Sequence, residues 1–300
     1  MVSAHVVIPV HNQSLPLQLT LEGFTRQTIS SSQFQITVVD DGSDVSVQEI
    51  VQPFTSKLPV QCMRLEERSG RARARNIGVE QGEADLLIFC DGDRIPRPDF
   101  MEAHLQTHRQ KERPGLLVGQ VRDLYLADLP TQLERARTSV VNQVHDRIPQ
   151  YPSLVYGLFD EQGETHSPVA WIATLTGNLS MPTSLFSQLG GFDERFREWG
   201  FEHFEFGYRA SQAKMPFYYE PRAINVHLAH RRDKDAYVQH LTESHTYFYG
   251  KHPDAAVKGL LPFMLGELTL SRFEKVAKGE EQDDQTIEKA THNRVRIQNF

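Results

Sequence analysis

Four short apolar runs constrain this chain more than anything else in it: His5–Val10, Phe34–Val39, Val60–Leu65 and Ala84–Phe89. Three are rich in Val and Ile, and they recur about 25 to 30 residues apart. Parallel strands need a long crossover to return the chain to the same end of the sheet, and each gap leaves room for a helix. The rhythm predicts an α/β fold with a mostly parallel, Rossmann-like central sheet flanked by helices. Ser14 and Pro16 open the first predicted helix, although Leu15, Leu17, Leu19 and Leu21 alternate as in a strand. In the second gap Asp44 is the expected cap, and Val47, Ile50, Val51 and Phe54 have helical spacing. The third gap carries Ala72, Ala74, Ile77, Gly78 and Val79 between arginines.

Polar clusters close three of the four runs. Pro9-Val10-His11-Asn12 follows the first, Asp40-Asp41-Gly42-Ser43 the second and Asp91-Gly92-Asp93 the fourth. Open parallel sheets bind ligands outside the carboxyl ends of their strands, so one crevice would collect all three. Two carboxylates flanking a glycine can share a hard divalent cation, and the glycine lets a phosphate approach the backbone. An ordinary polar turn is the other reading of that triplet. Arg68, Arg71, Arg73 and Arg75 form the one dense basic patch, suited to a local anion such as a diphosphate or simply to a solvated helix face. The Gly-x-Gly-x-x-Gly and Walker sequences are missing, which argues against a dinucleotide enzyme or a P-loop ATPase.

With 300 residues, 39% hydrophobic and 24% charged, the chain can bury a substantial core. A formal net charge of -7 offers no electrostatic footprint for nucleic acid. No apolar run is long enough to span a membrane, and the first residues lack a signal-peptide pattern, so a cytoplasmic location is expected. Cys62 and Cys90 both sit in apolar stretches and are expected to be buried free thiols. Beyond residue 115, Leu116–Val121 reads as a strand, and Leu129, Leu133, Ala136, Val140, Val141 and Val144 as one helix face. Ile148–Ser167 is long and irregular and is expected to border an acceptor site. Residues 255–273 are expected to pack as a helix, interrupted by Pro262, with a peripheral membrane contact as the lesser alternative. Residues 274–300 are charged, like a solvated tail or peripheral helix.

In order and spacing these motifs resemble the family 2 glycosyltransferases of the GT-A fold. The matching pieces are Val6-Val7-Ile8-Pro9-Val10-His11-Asn12, Val38-Val39-Asp40-Asp41-Gly42-Ser43, Ala74-Arg75-Asn76-Ile77-Gly78 and Phe89-Cys90-Asp91-Gly92-Asp93. The second half is similar to a galactosyltransferase-type C-terminal region through Thr176-Gly177-Asn178-Leu179-Ser180, Gly190-Gly191-Phe192-Asp193-Glu194-Arg195-Phe196 and Trp199-Gly200-Phe201-Glu202-His203. The resemblance covers about residues 3 to 232. It implies a nucleotide-sugar-binding half over 1–115, a metal- and acceptor-binding half over 116–250, and a helical extension with a charged tail over 251–300. It further implies a UDP-sugar donor and a hydroxyl-bearing acceptor: a glycan, lipid or small molecule.

Carried over by position, the resemblance places Pro9 and His11 against the nucleoside and Asp41 against the uracil N–H, with Asp40 fixing its loop. Arg68 or Arg71 would meet the base or diphosphate, and Gly177, Asn178 and Trp199 the donor sugar. Asp91 and Asp93 would hold Mn²⁺ or Mg²⁺, with Asp93 the direct ligand. His227 and His230 are candidates for a third ligand, and His230 matches the family position better; an imidazole would favour Mn²⁺. The family's catalytic base is the Asp of Trp-Gly-x-Glu-Asp, where this chain has His203. Histidine is a common general base, so His203 can take over that role. Alternatively Glu202 does the work while His203 contacts substrate, or transfer is lost and a carbohydrate-binding module remains. An inverting outcome is expected, with a retaining one still open. Glu205 and Arg209 are expected to pair along a helix.

Overall fold

A computed structural model of the protein describes residues 3–197, 200–230, 234–280 and Val295. Strands β1 (Ala4–Val10), β2 (Phe34–Asp41), β3 (Val60–Leu65) and β4 (Leu86–Cys90) match the four apolar runs and lie parallel in the order β3-β2-β1-β4. Their connections are α1 (Ser14–Phe24), α2 (Val47–Val51) and α3 (Arg71–Val79). Successive side chains of a strand point to opposite faces, and here both faces are covered, which is why the runs are apolar throughout. Val6, Ile8 and Val10 pack with Leu17 and Leu21 of α1, Val47 of α2 and Phe100 of α4 (Phe100–Gln110). Val7, Leu87 and Phe89 face the larger core on the other side.

Two local expectations need correction. Asp44 does not cap α2, whose N-cap is Ser46; its carboxylate instead accepts from Asn12 Nδ2 at 3.0 Å and ties the turns after β1 and β2 together. The alternating leucines of α1 have a tertiary cause. Leu17 and Leu21 face the sheet core, whereas Leu19 packs with Ile95 in a separate cluster, so the helix is buried on two sides.

The sheet continues past β4 through β5 (Arg94–Pro96), β6 (Leu116–Tyr125), β7 (Asp146–Arg147), β8 (Asn178–Pro182) and β9 (Phe217–Ala229), in the order β4-β8-β6-β9-β5 with β7 beside β6. Because β8 is antiparallel to both β4 and β6, and β9 is parallel to β6, the carboxyl ends of β1, β4, β6 and β9 share one edge. The entrance to β8 and the start of β5 lie at that same edge. Helix α5 (Leu133–Asn142) buries Ala136 and Val140 but leaves Val141 52% and Val144 40% exposed, so its predicted apolar face is narrower than expected. The helix ends at Asn142 and Gln143 takes a left-handed φ of 57°, which turns Val144 off the face. Helix α6 (Gln150–Tyr156) interrupts the long irregular stretch.

The remaining helices are α7 (Thr183–Leu189), α8 (Glu202–Gln212), α9 (Lys234–Lys251), α10 (Ala255–Met264) and α11 (Leu270–Ala277). They close over Trp171, which is 1% exposed and meets Phe204, Tyr208, Phe248 and Phe273 edge-to-face. Val257, Leu260 and Phe263 of α10 are buried in the same core, so the segment expected to pack does pack. No helix of the described residues is long and apolar enough to cross a membrane. Arg209 and Glu205 pair across one helical turn at 2.9 Å. Both cysteines are free; Cys90 is buried, but Cys62 is only half-buried, where burial still pushes its thiol up to about 11.

Because Phe273 completes the Trp171 cage from α11, Phe273→Ala should cost about 3 to 5 kcal/mol of stability. Urea denaturation measures this, and a loss below about 1 kcal/mol would mean that α11 is peripheral.

Candidate active site

A cavity of about 700 Å³ opens along the shared strand edge. A group of side chains that could hold a cation comes from β4 and β9, backed by β6. Asp93 follows the tip of β4, His227 lies in β9 opposite Arg94 of β5, and His230 follows the end of β9. One ligand atom from each of Asp93, His227 and His230 lies within 4.8 Å of the others. His227 Nδ1 sits 2.9 Å from Asp123 Oδ1 in β6, so its proton is held there and the Nε2 lone pair turns toward Asp93 Oδ2 at 3.7 Å. A carboxylate behind a histidine in this way fixes the tautomer that ligates metal. Gln13 Nε2 donates to Asp93 Oδ2 at 2.7 Å and steadies the carboxylate. Two imidazoles and a carboxylate oxygen form a donor set that could hold a divalent cation.

Asp91 does not join this cluster, and His227 does. The cause is electrostatic. Arg75 Nη2 donates to Asp91 Oδ1 at 2.8 Å and Arg94 Nε to Oδ2 at 3.3 Å, so both oxygens are taken. Burial alone would push the pKa of this carboxyl up, but Arg75 and then Arg94 outweigh it and hold Asp91 well below the usual carboxylate range. Arg75 is itself 1% exposed and donates from Nη1 to Glu202 Oε1 at 3.1 Å. Its depth follows from the small residues of α3: a methyl on Gly78 would collide with Val7, so the helix lies close against β1. Arg71, one turn earlier, is exposed and lines the cavity.

Glu202 and His203 open α8, and both line the cavity. Glu202 is 4% exposed; burial pushes its carboxyl up, but His203, Arg75 and Arg71 outweigh that and hold it well below its usual range. His203 Nδ1 lies 3.5 Å from Glu202 Oε2, and its ring rests on Phe204 at 4.1 Å between centroids. Ile148–Leu154 borders the same part of the cavity.

Residues 5–149 match the family model for glycosyl transferase family 2, and residues 163–231 match the N-terminal domain of galactosyltransferase. Together they take in more than two thirds of the chain. The first half of the chain thus matches glycosyl transferase family 2. Among curated relatives, validoxylamine A glucosyltransferase of Streptomyces hygroscopicus subsp. jinggangensis is 28% identical over 88% of this chain and 63% of its own length. Escherichia coli chondroitin synthase is 24% identical over 82% of this chain and 39% of its own. The chain thus spans less than two thirds of the length of these relatives. Among solved structures, S. aureus TarS 1–349 in complex with UDP-GlcNAc superposes with a TM-score of 0.63 at 16% identity, covering 93% of this chain and 71% of that one. The mannosyltransferase PcManGT from Pyrobaculum calidifontis, in complex with GDP-Man and Mn²⁺, gives 0.57 at 14% identity over 92% and 73%. The fold is GT-A.

The other family positions fall in several places. Pro9 and Gly177 line the cavity. His11 Nδ1 bonds the carbonyl of Asp41 at 2.8 Å, and the Asp41 carboxylate accepts from Ser69 N at 2.6 Å and Gly70 N at 2.9 Å, fixing the turn before α3. Asp40 accepts from Ser43 N at 2.8 Å and holds its own loop, as expected. Arg68 is exposed and lies outside the cavity lining. Asn178 turns away from the cavity: its Nδ2 donates to the carbonyl of Ala223 at 2.9 Å and its Oδ1 meets His104 Nε2 at 3.0 Å. It ties β8 to β9 and α4 rather than facing a ligand. Trp199 lies outside the described residues. Gln13, Arg75, Arg94 and Asp123 escaped the sequence reading as site residues. Arg75 stood inside a quoted motif and Arg94 directly after Asp-Gly-Asp, whereas nothing in the letters marks Gln13 or Asp123.

The network behind Asn178 has a consequence for pH. Burial lowers His104 to about 3 and His108 to about 4, and His5 likewise to about 4. These folded values lie below the unfolded one near 6.5, so between them the unfolded chain binds more protons and acid favours unfolding. Stability should fall as pH drops from 7 to 5, by up to about 4 kcal/mol per pH unit near pH 5. The depressed carboxyls of Asp91 and Glu202 add their losses only below about pH 4. Urea midpoints at pH 7, 6 and 5 check this, and a flat profile contradicts it.

Proposed function

We propose that the protein transfers a hexosyl group from a uridine diphosphate sugar to a hydroxyl of a glycan, lipid or small-molecule acceptor, with inversion at the anomeric carbon. One observation carries the reading. The Asp93–His227–His230 cluster, the Asp91–Arg75–Glu202 bridge and His203 all open onto a single cavity at the carboxyl edge of a GT-A sheet. The named relatives support it: a glucosyltransferase, a chondroitin synthase, and a structural neighbour in complex with UDP-GlcNAc.

Asp93, His227 and His230 would hold Mn²⁺ in preference to Mg²⁺, since imidazole suits the softer ion. When bound, such an ion supplies positive charge to a departing diphosphate. Arg71 adds a fixed charge at the same rim, and Pro9 borders the nucleoside side. The acceptor enters beside residues 148–154. Glu202 is a poor base, because Arg75 engages it and its acidity is high. Its role is to hold the His203 ring by the Nδ1 edge and to stabilise the imidazolium once it forms, as a carboxylate does behind a catalytic histidine. His203 Nε2 takes the acceptor proton, the acceptor oxygen bonds the anomeric carbon, and the carbon–oxygen bond to uridine diphosphate breaks.

UDP-glucose should raise the apparent melting temperature in Mn²⁺ and lose that effect in EDTA, because a ligand specific for the folded state stabilises it. No shift with any UDP-hexose in Mn²⁺ contradicts the proposal. For the base, His203→Ala should lower kcat by about 10²- to 10⁴-fold with little change in donor affinity, and His203→Asp should recover part of the loss. Wild-type turnover in both variants excludes His203.

A further inference from the structure

Buried polar side-chain atoms without a hydrogen-bond partner are few in folded proteins, and each asks for an explanation. Among the described residues with such an atom, only Arg75 and Arg94 also line the cavity, through Arg75 Nε and Arg94 Nη1. Arg75 is committed to Asp91 and Glu202, with the Phe192 ring 5.6 Å beneath its guanidinium. Arg94 is different. Its Nε is anchored on Asp91 Oδ2 at 3.3 Å and its backbone N–H on the Asp91 carbonyl at 3.1 Å, while Nη1 bonds nothing. The guanidinium also presses on Gly177, where any β-carbon would collide with it, so its position is set by the backbone at the entrance to β8. An N–H held out of water in the cavity wall is unfavourable until an oxygen meets it.

The geometry points to Arg94 Nη1 as the donor that binds a hydroxyl of the transferred sugar and selects neutral hexoses. This rests on the sugar-transfer reading above. Arg94 shares Asp91 with Arg75 and directly follows Asp93, which puts it beside the proposed cation ligands. A donor sugar held next to a cation-bound diphosphate reaches that place. The ligand oxygen is a neutral hydroxyl, because Asp91 already serves as the anionic partner of the Arg94 guanidinium. A site built to hydrogen-bond a hydroxyl strongly rejects analogues that lack it.

The test uses the full-length chain with Mn²⁺ and calorimetric titration. UDP, UDP-glucose, UDP-galactose, UDP-N-acetylglucosamine and UDP-glucuronate are titrated into wild type, and the tightest neutral donor goes forward with its monodeoxy analogues. We expect UDP-glucuronate to bind at least about tenfold more weakly than that donor. One deoxy analogue should lose about tenfold or more in wild type. Arg94→Met should keep UDP affinity within about twofold, bind the full donor about tenfold more weakly, and no longer distinguish that analogue. Loss of UDP and donor affinity together, or of neither, overturns the assignment, since Arg94 then serves the diphosphate or the fold. The wild-type arms stand even where Arg94→Met fails to fold: equal binding of every deoxy analogue, or tighter binding of UDP-glucuronate, also overturns it. Wild type that binds no UDP at all overturns the sugar-transfer reading and this assignment with it.

Discussion

The buried guanidinium of Arg75 organises the site. It joins Asp91 at the tip of β4 to Glu202 at the start of α8, which is 127 residues away in the chain. A lone charge in the interior costs several kcal/mol, and two carboxylates brought together repel, so each of the three groups is stable only in the presence of the others. That dependence locks α3, β4 and α8 into one arrangement. It also has a chemical result: with Asp91 held by Arg75 and Arg94, the second aspartate of the triplet is left to face the two histidines.

The depth of Arg75 is a packing effect as much as an electrostatic one. Ala72, Ala74 and Gly78 let α3 approach β1 and β2 closely, and the arginine on the same helix is carried under the surface toward the strand tips. On the far side, the aromatic cage around Trp171 seats α8, so the partner carboxylate arrives from an element fixed by hydrophobic contact. The charged triad thus sits between two apolar layers and adds the geometry that apolar burial, being non-directional, does not provide.

How much of this was legible in the letters depended on range. Strands β1 to β4 were readable because both faces of each are buried, which makes the whole run apolar, and because the turn clusters mark their carboxyl ends. The Asp-Gly-Asp triplet marked the edge of the cavity, but which of its oxygens are available was not readable, since that is decided by Arg75 from another element. That His227 joins His230 could not be read from order alone; the contact that orients His227 is Asp123, 104 residues away on a neighbouring strand. Asn178 looked like a ligand contact because it adjoins Gly177, yet strand alternation sends its side chain to the opposite face. The apolar face of α5 was overread because Val141 is exposed within the helix and the helix ends before Val144.

The central claim is that Asp93, His227 and His230, and not Asp91, form the cation site. Diffraction from crystals grown with Mn²⁺ and UDP, collected at the manganese absorption edge, tests it directly. The account predicts one anomalous peak in contact with the Asp93 carboxylate and both imidazoles, with Asp91 still paired to Arg75. A peak on Asp91 with the arginines displaced, or no peak in the cavity, would contradict it.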